Sequence, residues 1–181
     1  MIALAGLVRL ICTINKILGH IFSWFTLGIV LICFTVVVMR YAFSTGFVWM
    51  QDLYVWLNAM MFTGIAGYTL MRNGHVRVDI FYRPASTRRK AMVDLLGFFV
   101  FLLPFVTVIW LYSWSFVMRS WTFAESSSNA GGLQGLYVLK SFILVFCVVV
   151  GLQGLAMVGR SILVLTGNEH LLPEDLRYEG N

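Results

Sequence analysis

Charged side chains are scarce in this sequence. Lys, Arg, Asp and Glu together make up 12% of its 181 residues, whereas 60% of the residues are hydrophobic. A soluble domain uses about 25% charged residues to cover its surface. Most of this surface must therefore face lipid, and the composition predicts an integral membrane protein.

Cysteine is also rare. The chain has three cysteines, Cys12, Cys33 and Cys147, which are far apart and lie within apolar runs. The sequence has no CxxC spacing of the kind that binds zinc, and an odd, scattered set does not predict a disulfide framework. The three side chains are interpreted as small apolar packing residues, and no metal or cofactor is predicted from them.

Charge is absent from four long apolar stretches, residues 21–39, 53–71, 95–118 and 141–159. A helix needs about 20 residues to cross an apolar layer of about 30 Å. The backbone must satisfy its own hydrogen bonds in lipid, and none of the stretches alternates like a strand, so four transmembrane helices are predicted. Pro104 lies inside the third stretch and is expected to kink it.

The four stretches contain no Asp, Glu, His, Lys or Arg. A haem-binding membrane anchor would need histidines within the bundle, but His20, His75 and His170 lie outside the spans. A proton-coupled transporter would need a buried carboxylate. The chain is therefore predicted to be a scaffold, anchor or accessory subunit rather than an enzyme.

Residues 1–20 form a separate pattern. Arg9, Thr13, Lys16 and His20 recur every three or four residues, and apolar residues fill the other positions. This pattern predicts an amphipathic helix that lies in the membrane interface and is continuous in part with the first span. A cleaved signal peptide is the alternative, but its basic residues should precede the apolar core.

Basic residues predict the orientation in the membrane, because Lys and Arg concentrate in cytoplasmic segments. With the N-terminus inside, ten of them are cytoplasmic and three are outside. This distribution places both termini, the 72–94 segment and the polar tail 168–181 in the cytoplasm. The chain is predicted to be one membrane domain, residues 1–181. The basic excess is assigned to topology and not to nucleic-acid binding. The cytoplasmic set is Arg9, Lys16, Arg72, Arg77, Arg83, Arg88, Arg89, Lys90, Arg160 and Arg177, and the outer set is Arg40, Arg119 and Lys140.

Charges at the outer ends of the spans are candidate structural or docking residues. Arg40 closes the first span and Asp52 opens the second, so the two are predicted to pair at the headgroup level. Lys140 begins the fourth span, where the helix dipole disfavours a cation. Glu125 is its candidate partner, and docking of an extramembrane protein remains the alternative for these charges.

Small residues cluster on two of the spans. Gly151 and Gly154 lie on the fourth, and Gly64 and Gly67 on the second. Small side chains let membrane helices approach closely, either within this bundle or at the surface of a larger partner. Both possibilities remain open, as does an interface role for Trp49 in the predicted outer aromatic belt.

The segment RNGHVRVDIFYRP, residues 72–84, is the densest polar cluster. His75 and Asp79 could suggest a catalytic pair, but the loop offers neither a pocket nor a third group. The cluster, with Arg77 in it and Arg88, Arg89 and Lys90 after it, is interpreted as a topology anchor at the anionic leaflet.

Residues 36–82, VVVMRYAFSTGFVWMQDLYVWLNAMMFTGIAGYTLMRNGHVRVDIFY, resemble the signature of a known family. It is the small, DctQ-like membrane subunit of tripartite ATP-independent periplasmic (TRAP) transporters. The acid that opens the second span is usually Glu in the family, and Asp52 is a shorter variant. The segments SWTFAESSSNAGGLQGLYVLKSF and GLQGLAMVGRSILVLTG are similar to the subgroup associated with 2-oxo acids, mannitol-like or chloroaromatic substrates. The resemblance covers about residues 30–167 and rests on Arg40, Tyr41, Trp49, Asp52, His75, Val76, Val78 and Asp79.

This resemblance implies an all-α protein of the bacterial inner membrane, with four spans beside the N-terminal helix. It implies a large multi-span subunit that carries substrate and sodium, and a periplasmic binding protein that delivers a carboxylate-bearing solute. The small subunit would then anchor the assembly in the phospholipids as a scaffold for an elevator-type transport domain. The alternatives are a self-sufficient, homo-oligomeric small transporter or channel, and the membrane anchor of a redox complex.

Overall fold

The computed structural model describes residues 1–74, 82 and 84–178, and this part of the chain is helical without β-strands. The segment with His75, Arg77 and Asp79 lies outside the described residues. The helices are α1 (Ile2–Ala42), α2 (Val48–Met71), α3 (Thr87–Thr122) and α4 (Leu136–Leu165), and two 3₁₀ turns follow at Glu169–Leu171 and Glu174–Leu176.

Three helices of the described chain, α1, α3 and α4, are long and apolar enough to cross a membrane, with mean hydropathies of 2.5, 2.4 and 2.4 over their most apolar stretches. The helix α2 is also long, at 24 residues, and it includes the predicted span 53–71. It is less apolar because Asp52, Asn58 and several Gly, Thr and Tyr residues interrupt its apolar side chains.

The predicted N-terminal helix is the beginning of α1. The 41 residues of α1 run without interruption, and at 1.5 Å per residue they extend over about 60 Å, twice the thickness of an apolar layer. Arg9 and Lys16 are exposed, as the amphipathic pattern predicts. Large apolar side chains of this stretch, such as Leu7, Leu10 and Ile17, are exposed, whereas a separate stripe packs against protein. Its buried residues are Ala5, Val8, Ile11, Cys12, Asn15 and Gly19.

The helix α4 lies at the centre of the fold and contacts α1, α2 and α3. Small residues on α4 and α2 make these contacts close. A Cβ atom on Gly159 would come 2.7 Å from Val8, and one on Gly64 would come 2.5 Å from the Phe22 ring. Close approach through small residues substitutes for the hydrophobic drive that is missing between helices in lipid.

A π-helical segment, Phe98–Leu102, lies inside α3 directly before Pro104. Leu103 donates its N–H to the Phe98 carbonyl, five residues back. Proline has no N–H and needs space at the carbonyl four residues earlier, and a wider turn provides that space. Pro104 thus follows a π-helical segment within a continuous helix.

The antiparallel order of the helices gives the bundle two ends. The end that carries the start of α1, the end of α2, the start of α3 and the end of α4 is here named the terminal face. The end that carries residues 43–47 and 123–135 is named the loop face. Most of the buried polar side chains that the structure describes lie at one of these two faces.

Candidate functional site

Asp52, near the start of α2, binds segment 123–135, which joins α3 to α4 at the loop face. Its side chain accepts hydrogen bonds from Asn129 Nδ2 at 2.8 Å and from the Leu133 N–H at 3.0 Å. The residue is only 7% exposed. The predicted pairing with Arg40 is wrong, because the Asp52 carboxylate is bound by these donors in segment 123–135 instead. Arg40 is exposed and forms no ion pair with any residue that the structure describes.

Glu125 and Lys140 form a second anchor of the same connection. Lys140 Nζ binds the Glu125 carboxylate, the acceptor predicted for it, and lies 4.1 Å from the centre of the Phe116 ring. Ser120 Oγ donates to the same carboxylate at 2.6 Å. The hydrogen bonds from Lys140 and Ser120 hold the pKa of Glu125 below its usual value. Segment 123–135 is thus tied to α2, α3 and α4.

Substitution of Asp52 by Ala is expected to release the connection. The backbone N–H of Leu133 loses a charged acceptor, and hydrogen bonds to charged groups contribute about 1.5–3 kcal/mol. Hydrogen exchange of that amide should accelerate at least tenfold, since about 1.4 kcal/mol corresponds to a factor of ten. Gln51→Ala, one residue earlier on α2, is the matched control. Unchanged exchange in Asp52→Ala would show that this anchor does not hold the loop.

The Glu125 pair predicts a dependence of stability on pH. A carboxyl whose pKa is lower in the folded than in the unfolded protein stabilises the fold above its ordinary pKa, about 4.3 for Glu. The stabilisation is lost as the pH falls through the lowered folded value. The thermal midpoints of wild type and Glu125→Gln, measured from pH 7 to pH 3, should therefore converge below about pH 4. A constant difference over this range would argue against the ionic contribution.

A buried charge cluster lies at the terminal face. Asp94 on α3 accepts a hydrogen bond from Arg160 Nη2 on α4 at 2.9 Å, and the two side chains are only 7% and 12% exposed. The hydroxyl groups of Tyr178 and Tyr82 donate to the same carboxylate at 2.8 and 3.0 Å. The Arg160 guanidinium also lies 4.1 Å from the centre of the Tyr178 ring. The cluster therefore joins α3, α4 and the C-terminal tail.

Tyr178 is held in its neutral, donating form. Burial is the main cause that raises the pKa of Tyr178 to about 12, so the phenol keeps its proton at neutral pH. Its hydroxyl also lies 3.2 Å from Ser161 Oγ. The tail packs further against α1, where Arg9 donates to the Leu171 carbonyl at 2.5 Å. The tail up to Tyr178 is thus part of the folded bundle.

A neutral polar contact joins α1 to α4 inside the bundle. Asn15 Nδ2 donates to Gln153 Oε1 at 2.9 Å, and both side chains are buried. Gln153 Nε2 lies 3.8 Å from Cys12 Sγ. A paired amide of this kind joins α1 to α4 without a buried charge.

The remaining residues predicted as structural or interface residues do not lie together. Trp49 is 43% exposed at the start of α2. Arg88 and Arg89 are exposed on the first turn of α3, whereas Lys90 is buried beside them. Of the structural set, His75, Arg77 and Asp79 cannot be compared, since they are outside the described residues.

The glycines of α4 pack within the chain. A Cβ on Gly154 would come 2.7 Å from Leu102 Cδ2 and from the Phe98 ring, and one on Gly151 would come 3.7 Å from Val106. The π-helical segment of α3 therefore rests on Gly154.

The described residues contain no group of three His, Cys, Asp or Glu side chains arranged to bind a metal.

Sequence reasoning missed Asp94, Tyr82, Tyr178 and Asn15. The pairing of Asp94 with Arg160 was predictable in principle, because Asp94 precedes the third apolar stretch and Arg160 follows the fourth. Antiparallel neighbours bring these two positions to the same end of the bundle. The tyrosines had no such signal, since one precedes α3 and the other lies in an irregular tail.

Comparison with known proteins yields one family. The match is to the DctQ component of the tripartite ATP-independent periplasmic transporters, and it covers residues 29–164. Neither the curated proteins nor the solved structures contain a significant match. The matched segment begins within α1, ends within α4 and spans well over half of the 181 residues. The chain therefore belongs to the DctQ family, the small membrane component of TRAP transporters, which is a transporter component and not an enzyme family.

Proposed function

We propose that this chain is a static scaffold subunit of a TRAP transporter in the bacterial inner membrane. It binds a large, multi-span subunit whose transport domain moves like an elevator. A periplasmic binding protein delivers a carboxylate-bearing solute, and sodium is the coupling ion. Both termini, and with them the terminal face, are in the cytoplasm. The solute is a carboxylate of the 2-oxo acid or chloroaromatic class, or a sugar acid related to mannitol, since mannitol itself has no carboxylate.

The observation that carries this proposal is the placement of the buried polar groups. Asp52 lies at the loop face and Asp94 with Arg160 at the terminal face, and each is bonded within the chain. Among the buried polar side chains that the structure describes, the neutral pair Asn15 and Gln153 lies between them. Transport sites in membrane proteins need polar or ionisable groups that face a cavity near mid-depth. This arrangement supports a rigid, non-conducting role.

The outer surface of the bundle supports a role as an anchor. Large apolar side chains are exposed along α1 and α3, including Trp24, Phe34, Phe101 and Leu111. In a membrane such side chains contact lipid tails or a neighbouring subunit. The two anchors of segment 123–135 make the loop face a second firm surface, on the side where we place the binding protein. We also propose that Arg40 and Trp49, both exposed, lie at the outer membrane boundary.

Co-purification tests the proposal. The tagged chain is expressed together with a large multi-span TRAP subunit from the same organism, and the expected result is a complex of fixed stoichiometry that survives gel filtration. The large subunit expressed with an unrelated tagged four-helix membrane protein is the control. A chain that elutes as a homo-oligomer and leaves the large subunit behind would contradict the scaffold role and favour a self-sufficient transporter or channel.

A further inference from the structure

A cavity of about 220 Å³ opens at the terminal face between α1, the end of α2 and the C-terminal tail. Its volume is below the roughly 300–1,000 Å³ of pockets for drug-sized ligands. The cavity is therefore suited to a small group such as an ion or a lipid headgroup, and not to a large cofactor.

Three basic side chains line this cavity. Arg9 and Lys16 come from α1, Arg72 directly follows α2, and Asp175 is the one acid in the lining. Neither Lys16 nor Arg72 forms an ion pair with a described residue. Arg9 already donates to the Leu171 carbonyl. The cavity thus carries a net charge of about two positive units. The Arg72 guanidinium also lies 5.7 Å from the centre of the Tyr68 ring, so a bond to an anion would add to a cation–π contact.

The chemistry of the cavity matches a phosphate group. Guanidinium groups bind phosphate oxygens through paired N–H donors, and a lysine ammonium binds them as a point charge. Apart from Thr13, the remaining wall is apolar, with Met71 and Leu176 beside the cations. An apolar wall next to cations, at the point where α2 ends, fits a headgroup at the boundary of the apolar layer better than it fits a soluble ion.

We propose that this cavity binds the phosphate group of an anionic phospholipid, with Lys16 and Arg72 as its contacting cations. Arg9 is a positioning residue, which holds the tail that forms one wall. Asp175 opposes the anion and limits its affinity. Basic pockets between membrane helices are suited to such headgroups. The inference depends on the membrane location of the chain and not on its proposed scaffold role, so the two can fail separately.

The test uses the full chain, with any subunit that co-purifies, in uncharged detergent doped with phosphatidylglycerol or phosphatidylcholine. Native mass spectrometry measures the lipid that stays bound. Wild type is expected to retain phosphatidylglycerol in preference to phosphatidylcholine. Lys16→Gln/Arg72→Gln should weaken this binding by at least about tenfold, from the attraction of two cations to an anionic headgroup, and Asp175→Asn should strengthen it.

Arg88→Gln/Arg89→Gln is the matched control, because it removes two exposed positive charges from the same face outside the cavity. Equal loss in this control, or equal retention of both lipids by wild type, would overturn the proposal. A further arm adds inorganic phosphate, which is expected not to displace phosphatidylglycerol. Displacement at equal concentration would assign the site to a soluble anion and overturn the headgroup. The thermal midpoint of Lys16→Gln/Arg72→Gln should match wild type, which excludes loss of folding as the cause.

Discussion

Replacing Asp94 with Ala is expected to lower the free energy of unfolding by about 3–5 kcal/mol, the usual cost of removing one partner of a buried ion pair. The substitution leaves the Arg160 guanidinium in a buried site without its anion. It also removes the acceptor of the Tyr178 and Tyr82 hydroxyls. The loss should appear as a lower urea midpoint of the purified protein in detergent.

Glu174→Ala is the control for this experiment, because Glu174 is an exposed carboxylate in the C-terminal tail, close in sequence to Tyr178. A double variant, Asp94→Leu/Arg160→Leu, should regain much of the lost stability, since apolar pairs often replace buried ion pairs without cost. If Asp94→Ala were as stable as Glu174→Ala, the cluster would not hold the terminal face together. If the double variant were less stable than Asp94→Ala, the unpaired guanidinium would not be the cause of the loss.

Substitution of Gly67 by Ala is expected to destabilise the bundle by about 1–3 kcal/mol, the range for overpacking. The added Cβ would come 2.7 Å from the Val149 carbonyl oxygen and would collide with the Asn15 amide. A backbone atom cannot move aside like the end of a flexible side chain. The methyl group should therefore push α2 away from α4 and disturb the contact between Asn15 and Gln153.

Gly97→Ala is the matched control, because a Cβ there meets nothing within 4 Å. Alanine is favoured over glycine inside a helix by about 0.5–1 kcal/mol, so this variant should be as stable as wild type or more stable. The unfolding midpoints of the two variants give the comparison. Equal midpoints would show that the close approach of α2 and α4 contributes little to stability.

The sequence pattern predicted the positions of the long helices but not their ends. The apolar stretch 141–159 lies inside α4, which extends to residue 165, and 95–118 lies inside α3, which begins at residue 87. Apolarity reports the part of a helix that is compatible with lipid. The ends depend on local backbone conformation instead, as at Gly135, whose positive φ of 94° precedes α4.

The side-chain pairs at the loop face were predictable from the sequence only where both partners lie close together along the chain. Glu125 and Lys140 are 15 residues apart across one connection, and their pair was predictable from charge. Asp52 was assigned to Arg40 by proximity in sequence, whereas its donors are Asn129 and Leu133, about 80 residues away. The contact between this loop and the start of α2 depends on how the helices pack in three dimensions. The pattern of residue types along one sequence does not predict that packing.

The same limit applies to the buried face of α1. The exposed positions Arg9 and Lys16 follow from the amphipathic period, but the sequence could not distinguish a lipid-facing stripe from one that packs on protein. Val8 faces Gly159 because α4 passes beside the first turns of α1. The interfacial helix expected there is consequently a continuous part of the bundle.

Uptake by proteoliposomes tests the proposed scaffold role most directly. Vesicles contain this chain alone, the large subunit alone, or both together, with the periplasmic binding protein outside and a sodium gradient across the membrane. The probes are radiolabelled pyruvate, 2-oxoglutarate and mannonate. We expect uptake of at least one probe only when both membrane subunits and the binding protein are present. Uptake by vesicles that contain this chain alone would contradict the scaffold role.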